Sequence, residues 1–212
     1  MPDIWTVDPE SPDPETLDRA LDLLKRGGVI AYPTETLYGL GADALNEEAV
    51  RKIYAIKGRG FQNPLPVIIG APEDLAPLVA DVPEAAVRLM QHYWPGPLTL
   101  VFRGTPRVPT LLTAGTGKIG VRLSSHPVAR ELARRLHGPL TATSAIRSGK
   151  RDAATAQDVL ADLRCPAPDA VLDGGPSPGG PGSTLLDVTT DPPTLLRPGA
   201  IPFDRTSNRA VV

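Results

Sequence analysis

The sequence is short of the groups on which much enzyme chemistry is built. It has one cysteine, Cys165, and three histidines, His92, His126 and His137. A lone cysteine excludes an internal disulfide and fits a reducing compartment. The histidines have no metal-ligand spacing with one another or with Cys165. His126, directly ahead of Pro127, reads as a helix cap. There is no G-x-S-x-G nucleophile elbow and no G-x-G-x-x-G dinucleotide fingerprint. Gly115-Thr116-Gly117-Lys118 invites a P-loop reading and fails it: the first glycine of that motif falls on Leu112, and Ile119 stands where serine or threonine belongs. No apolar run reaches membrane length, and the acidic, proline-rich N-terminus is not a signal peptide, so a cytoplasmic protein without a membrane partner is expected. A net charge of −2 and 4% aromatic residues give no whole-molecule attraction to nucleic acid and few rings for base stacking. Any polyanion site must be a local patch.

What is present is an α/β pattern. Prolines and glycines are spread along the chain as punctuation, and only 174–182 is dense in both. Helices are expected from Pro14 (Leu17, Ala20, Leu21 and Leu24 inward), from Glu47 behind Asn46 (Val50, Ile53 and Tyr54 inward), at 72–79, at 83–93 (Ala86, Val87 and Met90 inward), from Pro127 (Val128, Leu132 and Leu136 inward) and at 155–163. Arg130, Arg134 and Arg135 read as a solvated face. Strands are expected at 4–7, 29–32, 65–69, 98–102, 119–123, 140–143 and 170–172, with a strand pair at 183–188 and 194–196. Helices and strands alternate early and strands dominate late, which predicts one α/β domain with a mixed sheet. The division is a lead-in over 1–12, a domain over 13–201 and a polar, proline-broken tail over 202–212.

Hydroxyls and cations collect where strands are expected to end: Thr34, Thr36, Lys57, Arg59, Arg122, Thr143, Ser144, Ser148, Ser183, Thr184 and Arg197. Strand exits are where α/β sheets hold ligands. This set offers donors and positive charge but no covalent catalyst, and suits a ligand with phosphates and a carboxylate. Taken alone, Lys57-Gly58-Arg59-Gly60 reads as a solvated helix C-terminus, where cations are common.

The whole stretch is more specific than its parts. Pro33-Thr34-Glu35-Thr36-Leu37-Tyr38-Gly39-Leu40-Gly41, followed by Lys57-x-Arg59 and Asn63-Pro64-Leu65, resembles the YrdC family, the threonylcarbamoyl-AMP synthases. Four further segments resemble it in order: 94–99 (WPGPLT), 119–122 (IGVR), Thr143-Ser144-Ala145 with Ser148-Gly149, and 183–187 (STLLD) with 196–201 (LRPGAI). The match runs from about residue 15 to 200. It implies a single-domain, twisted mixed sheet flanked by helices, with a large basic groove. It implies synthesis of threonylcarbamoyl-AMP and pyrophosphate from L-threonine, bicarbonate and ATP with Mg2+, for threonylcarbamoyladenosine modification of tRNA. By the same resemblance Lys57, Arg59, Asn63 and Arg197 meet ATP, with Lys57 and Arg59 the catalytic pair, and Lys118, Ser144 and Arg147 are expected to join the ATP set. Thr36, Arg122, Ser144 and Ser183 hold threonine, and no protein metal ligand is implied. Implied partners are proteins that transfer the threonylcarbamoyl group, and tRNA or double-stranded RNA.

Two departures stand out. The family's S-A-N is here Ser144-Ala145-Ile146, and Gly60 replaces a frequent proline. Arg147 is expected to substitute in part for the missing amide. Ile146 also keeps open a YciO-like paralogue, while a non-enzymatic nucleotide- or RNA-binding module would use the same groove. The related module of the carbamoyltransferase HypF belongs to a much longer chain.

Overall fold

The computed structural model describes residues 1–147, 153–204 and 209–210. Ser148 and Gly149 lie outside the described residues. Asp3–Thr6 form an edge strand, β1, within the lead-in. Asp13 then accepts from the Thr16 amide at 2.8 Å and Pro14 takes the first helical position, so α1 runs Pro14–Lys25. The apolar run behind Gly28 becomes β2, Ile30–Tyr32. Where the sequence reads as an exit loop, the chain instead returns as β3, Gly39–Gly41, antiparallel to β2. Its glycines are required by close approach: a Cβ on Gly41 would lie 2.8 Å from the Tyr32 ring.

Asn46 accepts from the Glu48 and Ala49 amides to start α2, Glu47–Lys57, and Gly58 closes it at φ 60°. The strand expected at 65–69 shortens to β4, Val67–Ile68. Pro72–Leu75 is a single 3-10 turn, not a helix to residue 79. In α3, Glu84–Tyr93, Ala86 is buried and Leu89, Met90 and Tyr93 pack beside it, whereas Val87 is exposed. Helical spacing from Ala86 runs through 89, 90 and 93, and Val87 falls off that stripe. Leu98–Arg103 is β5 and Lys118–Arg122 is β6. His126 caps α4, Pro127–Leu136, through Nδ1. Arg135 of α4 reaches Asp18 of α1 at 3.0 Å, so it ties two helices rather than facing only solvent.

The strand expected over 140–143 is split. Leu140–Thr141, β7, pairs with β4, and Thr143–Ser144, β8, pairs with β3. The remaining elements are α5 (Ala156–Asp162), β9 (Ala170–Asp173), β10 (Thr184–Asp187), β11 (Thr194–Arg197), β12 (Phe203–Asp204) and β13 (Arg209–Ala210). The mixed α/β architecture has two main sheets, in the orders β1-β9-β2-β3-β8 and β11-β10-β5-β6-β4-β7, with β12 and β13 as a separate pair. Parallel and antiparallel neighbours occur in both main sheets. The chain passes from one sheet to the other at Ala142. Among the described residues, no helix is long and apolar enough to cross a membrane.

Candidate active site

A cavity of about 890 Å³ opens between the two sheets. The first sheet supplies Tyr32, Gly39, Thr143 and Ser144. The second supplies Ile68, Val101, Lys118, Gly120, Arg122, Leu185, Asp187, Leu196 and Arg197. Ala142, where the chain changes sheets, lies on the wall between them. The charged lining is Lys57, Arg59, Lys118, Arg122 and Arg197 against Asp187, so the cavity favours anions although the chain is slightly acidic.

The end of α2 aims two cations at this space, and the structure treats them differently. Lys57 is 3% exposed, and its ammonium donates to the carbonyls of Ser144 at 2.5 Å and Ile146 at 2.9 Å. Arg59 lies past the left-handed Gly58, with its guanidinium 5.6 Å from the Tyr54 ring centre. Its Nε and Nη2 are buried and have no hydrogen-bond partner among the described residues. Burial pushes its pKa down from the ordinary arginine value, since the desolvated cation is uncompensated. Tyr54 also donates its hydroxyl to the Asn63 carbonyl at 2.7 Å, which holds the 58–63 loop at the mouth.

Arg122, 6% exposed at the end of β6, donates from Nη2 to Glu35 at 2.9 Å. Glu35 also accepts from Ser124 Oγ and the Ser125 amide. Thr34 Oγ1 donates to the Leu37 carbonyl at 2.6 Å and lies 3.1 Å from Thr36 Oγ1, so the turn after β2 is braced by its own hydroxyls. Across the cavity, Ser183 and Thr99 hydroxyls are 2.8 Å apart, and Arg197 donates to the Ser183 carbonyl at 2.8 Å. Lys118 and Asp187 form an ion pair at 2.8 Å. Burial pushes the Asp187 carboxyl up, but hydrogen bonds from Lys118 and Thr189 outweigh it and hold the group below its ordinary value. Tyr38 donates to the Gly175 carbonyl and accepts from the Gly174 amide, anchoring the 174–182 loop whose Pro181 and Gly182 line the cavity.

Thr36, Lys57, Arg59, Asn63, Lys118, Arg122, Ser144, Ser183 and Arg197 therefore share one cavity. Arg147 does not. Its amide is held by Asp162 at 2.6 Å and its guanidinium donates to the Cys165 carbonyl, outside the lining. Ile146 itself lines the wall. Thr184 is buried beside the cavity and bonds the Ile201 backbone in both directions. Ser148 lies outside the described residues. Sequence reasoning gave no role to Glu35, Tyr32, Thr99 and Asp187. For Glu35 the signal was there: one acid between two inward threonines. Among the described residues, no group of three His, Cys, Asp or Glu side chains could hold a metal ion.

The Sua5/YciO/YrdC family model, described as telomere recombination, matches residues 22–199. Threonylcarbamoyl-AMP synthase of Bacillus subtilis is 43% identical over 89% of this chain and 54% of that protein. That of Pyrococcus abyssi is 40% identical over 87% of this chain and again 54% of its own length, so the chain spans about half of these relatives. A putative threonylcarbamoyl-AMP synthase of Mycobacterium tuberculosis is 37% identical over 91% of this chain and 90% of its own. Among solved structures, P. abyssi Sua5 complexed with L-threonine superimposes with a TM-score of 0.91 at 38% identity, over 96% of this chain and 59% of that one. E. coli YciO follows with a TM-score of 0.84 at 27% identity, over 94% and 97%. The chain belongs to the Sua5/YciO/YrdC family.

Proposed function

We propose that the protein is an L-threonylcarbamoyladenylate synthase, converting L-threonine, bicarbonate and ATP to threonylcarbamoyl-AMP and pyrophosphate. The observation that carries this reading is one cavity holding two different guanidinium stations. Arg59 is half-buried, with Nε and Nη2 out of solvent and without hydrogen-bond partners among the described residues, as suits a phosphate site. Arg122 lines the same cavity as Thr36, Ser144 and Ser183, and together they are a donor set suited to an amino acid with a carboxylate and a hydroxyl. The threonine bound to P. abyssi Sua5 supports that substrate.

The chemistry needs alignment and charge neutralisation more than a protein nucleophile. Bicarbonate gives CO2 and hydroxide, the hydroxide takes the proton that threonine's ammonium loses, and the neutral amine captures CO2 as a carbamate while its second proton passes to solvent. A carbamate oxygen then attacks the α-phosphorus, the bond to the bridging oxygen breaks, and pyrophosphate leaves. Arg122 and its neighbouring hydroxyls orient the amino acid. Arg59, Asn63, Lys118 and Arg197 meet the phosphates. Lys57 acts from behind, adding charge while it fixes Ser144 and Ile146. Asp187 is the carboxylate of the described lining and is tied to Lys118. A Mg2+ ion therefore fits as cargo of the phosphates, where it neutralises charge. The product would pass to proteins that transfer the threonylcarbamoyl group to tRNA.

Ile146 favours a second reading, a YciO-like protein with weaker nucleotide contacts, since isoleucine gives the wall no hydrogen bond. Pyrophosphate release from ATP, with Mg2+ and bicarbonate, is measured with and without L-threonine. Release that requires threonine supports the synthase. Threonine-independent release, or none, refutes it and leaves the YciO-like reading.

A further inference from the structure

We infer that Glu35 is the positioning residue for the amino-acid end of the cavity, acting through Arg122 to fix how that guanidinium meets a substrate carboxylate. The inference rests on the synthase reading above. Thr34 and Thr36 line the cavity, while Glu35 between them does not. Its carboxylate is instead closed by three donors: Arg122 Nη2 at 2.9 Å, Ser124 Oγ, and the Ser125 amide at 3.3 Å. Ser124 Oγ also accepts from the His126 amide at 3.2 Å, so the anchor is continuous with the start of α4. One short turn thus delivers Thr36 to the ligand and clamps the arginine that the ligand must find.

Arg122 needs such a clamp. It is 6% exposed, and its Nε is buried with no hydrogen-bond partner. Gripped among the described residues only at Nη2, the guanidinium keeps its remaining N–H groups for a second carboxylate, and five donors suffice for two acceptors. An arginine with fixed geometry loses less freedom on binding than a mobile one. Glu35 therefore contributes to affinity for the amino acid without touching it, and contributes little to ATP.

The test is titration calorimetry on the full chain, with L-threonine and with ATP measured separately. Glu35→Gln keeps the shape and removes the charge. It is expected to weaken L-threonine about tenfold, equal to about 1.4 kcal/mol, with ATP affinity changed by less than about twofold. In an Arg122→Ala background, Glu35→Gln is expected to have no further effect on threonine. Ser124→Ala, which removes one donor to Glu35 and leaves Arg122 intact, is expected to act in the same direction by about threefold, and stands in if Glu35→Gln does not fold. Equal losses for threonine and ATP, or losses that persist without Arg122, overturn the positioning role. Threonine binding that ignores Glu35 and Ser124 overturns it as well. Failure of the unaltered chain to bind threonine overturns the substrate reading and this role with it.

Discussion

Replacing Arg59 by methionine is expected to stabilise the empty protein and to cripple nucleotide binding. The side chain keeps Nε and Nη2 buried and unpartnered, with only the Tyr54 ring at 5.6 Å in return. An unsatisfied buried polar group costs about 1–3 kcal/mol, and a cation over an aromatic face returns about 0.5–1 kcal/mol. Methionine retains the apolar stem and leaves nothing unpaired. The balance is a gain of about 1 kcal/mol, which in a chain of this size raises Tm by about 2–4 °C. Binding moves the other way. Two charge-assisted bonds to phosphate, each worth about 1.5–3 kcal/mol and less than additive, amount to about 100-fold in Kd. Denaturant unfolding without ligand and calorimetry with ATP read the two effects. An Arg59→Met protein that is less stable than the parent, or that binds ATP normally, refutes the idea that this guanidinium is held unpaired for the ligand.

Lys57→Met is expected to do the opposite in the empty protein. It strips the hydrogen bonds from the buried ends of the Ser144 and Ile146 carbonyls, at about 1–3 kcal/mol each. A fall in denaturant stability of about 2–4 kcal/mol is expected, and an unchanged midpoint would show the ammonium to be dispensable. On α4, hydrogen bonds from Arg134 and then Arg135 lower the Glu131 carboxyl to about 2 against the opposing effect of burial. A carboxylate whose folded-state pKa is depressed stabilises above its ordinary range and loses that contribution as pH falls towards about 2. Glu131→Gln is therefore expected to be less stable than the parent at neutral pH and to converge with it near pH 2; a gap that persists in acid refutes this.

What the sequence made legible was what short segments decide by themselves. Asp13 with Pro14, Asn46 with Gly58, and His126 with Pro127 set helix ends through contacts a few residues apart. The pairing of 184–187 with 194–197 also lies within local reach. The division into two sheets was not legible, because it turns on Ala142, where partners more than 70 residues away claim the chain on either side. The strand at 39–41 was missed because two of its three residues are glycines, whose reason for being there is the Tyr32 ring. The site divides in the same way. Hydroxyls and cations at strand exits were found by type and place, and nine of the expected residues line one cavity. The placement of Arg147 outside the lining was not legible, because its guanidinium donates to the Cys165 carbonyl, 18 residues on. Glu35 went unassigned because its meaning depends on Arg122, 87 residues away.

The cavity gathers Lys57, Arg59, Lys118, Arg122 and Arg197 in a chain whose net charge is −2. Most of its cations are compensated before any ligand arrives. Arg122 is balanced by Glu35, Lys118 by Asp187, and Lys57 by two carbonyl dipoles. A paired cation can offer an incoming phosphate only the donors its partner leaves, and the Coulomb attraction is shared. Arg59 differs among the cavity's described cations in having two buried donors that nothing satisfies. The Tyr54 ring lies 5.6 Å from that guanidinium, a cation–π contact that leaves its N–H groups unoccupied. Phe61 packs edge-on to the same ring at 5.0 Å, and the Tyr54 hydroxyl anchors the loop at Asn63. A tyrosine three residues before the lysine thus presents its ring to the guanidinium and its hydroxyl to the neighbouring loop, beside two guanidinium donors that stay unsatisfied among the described residues.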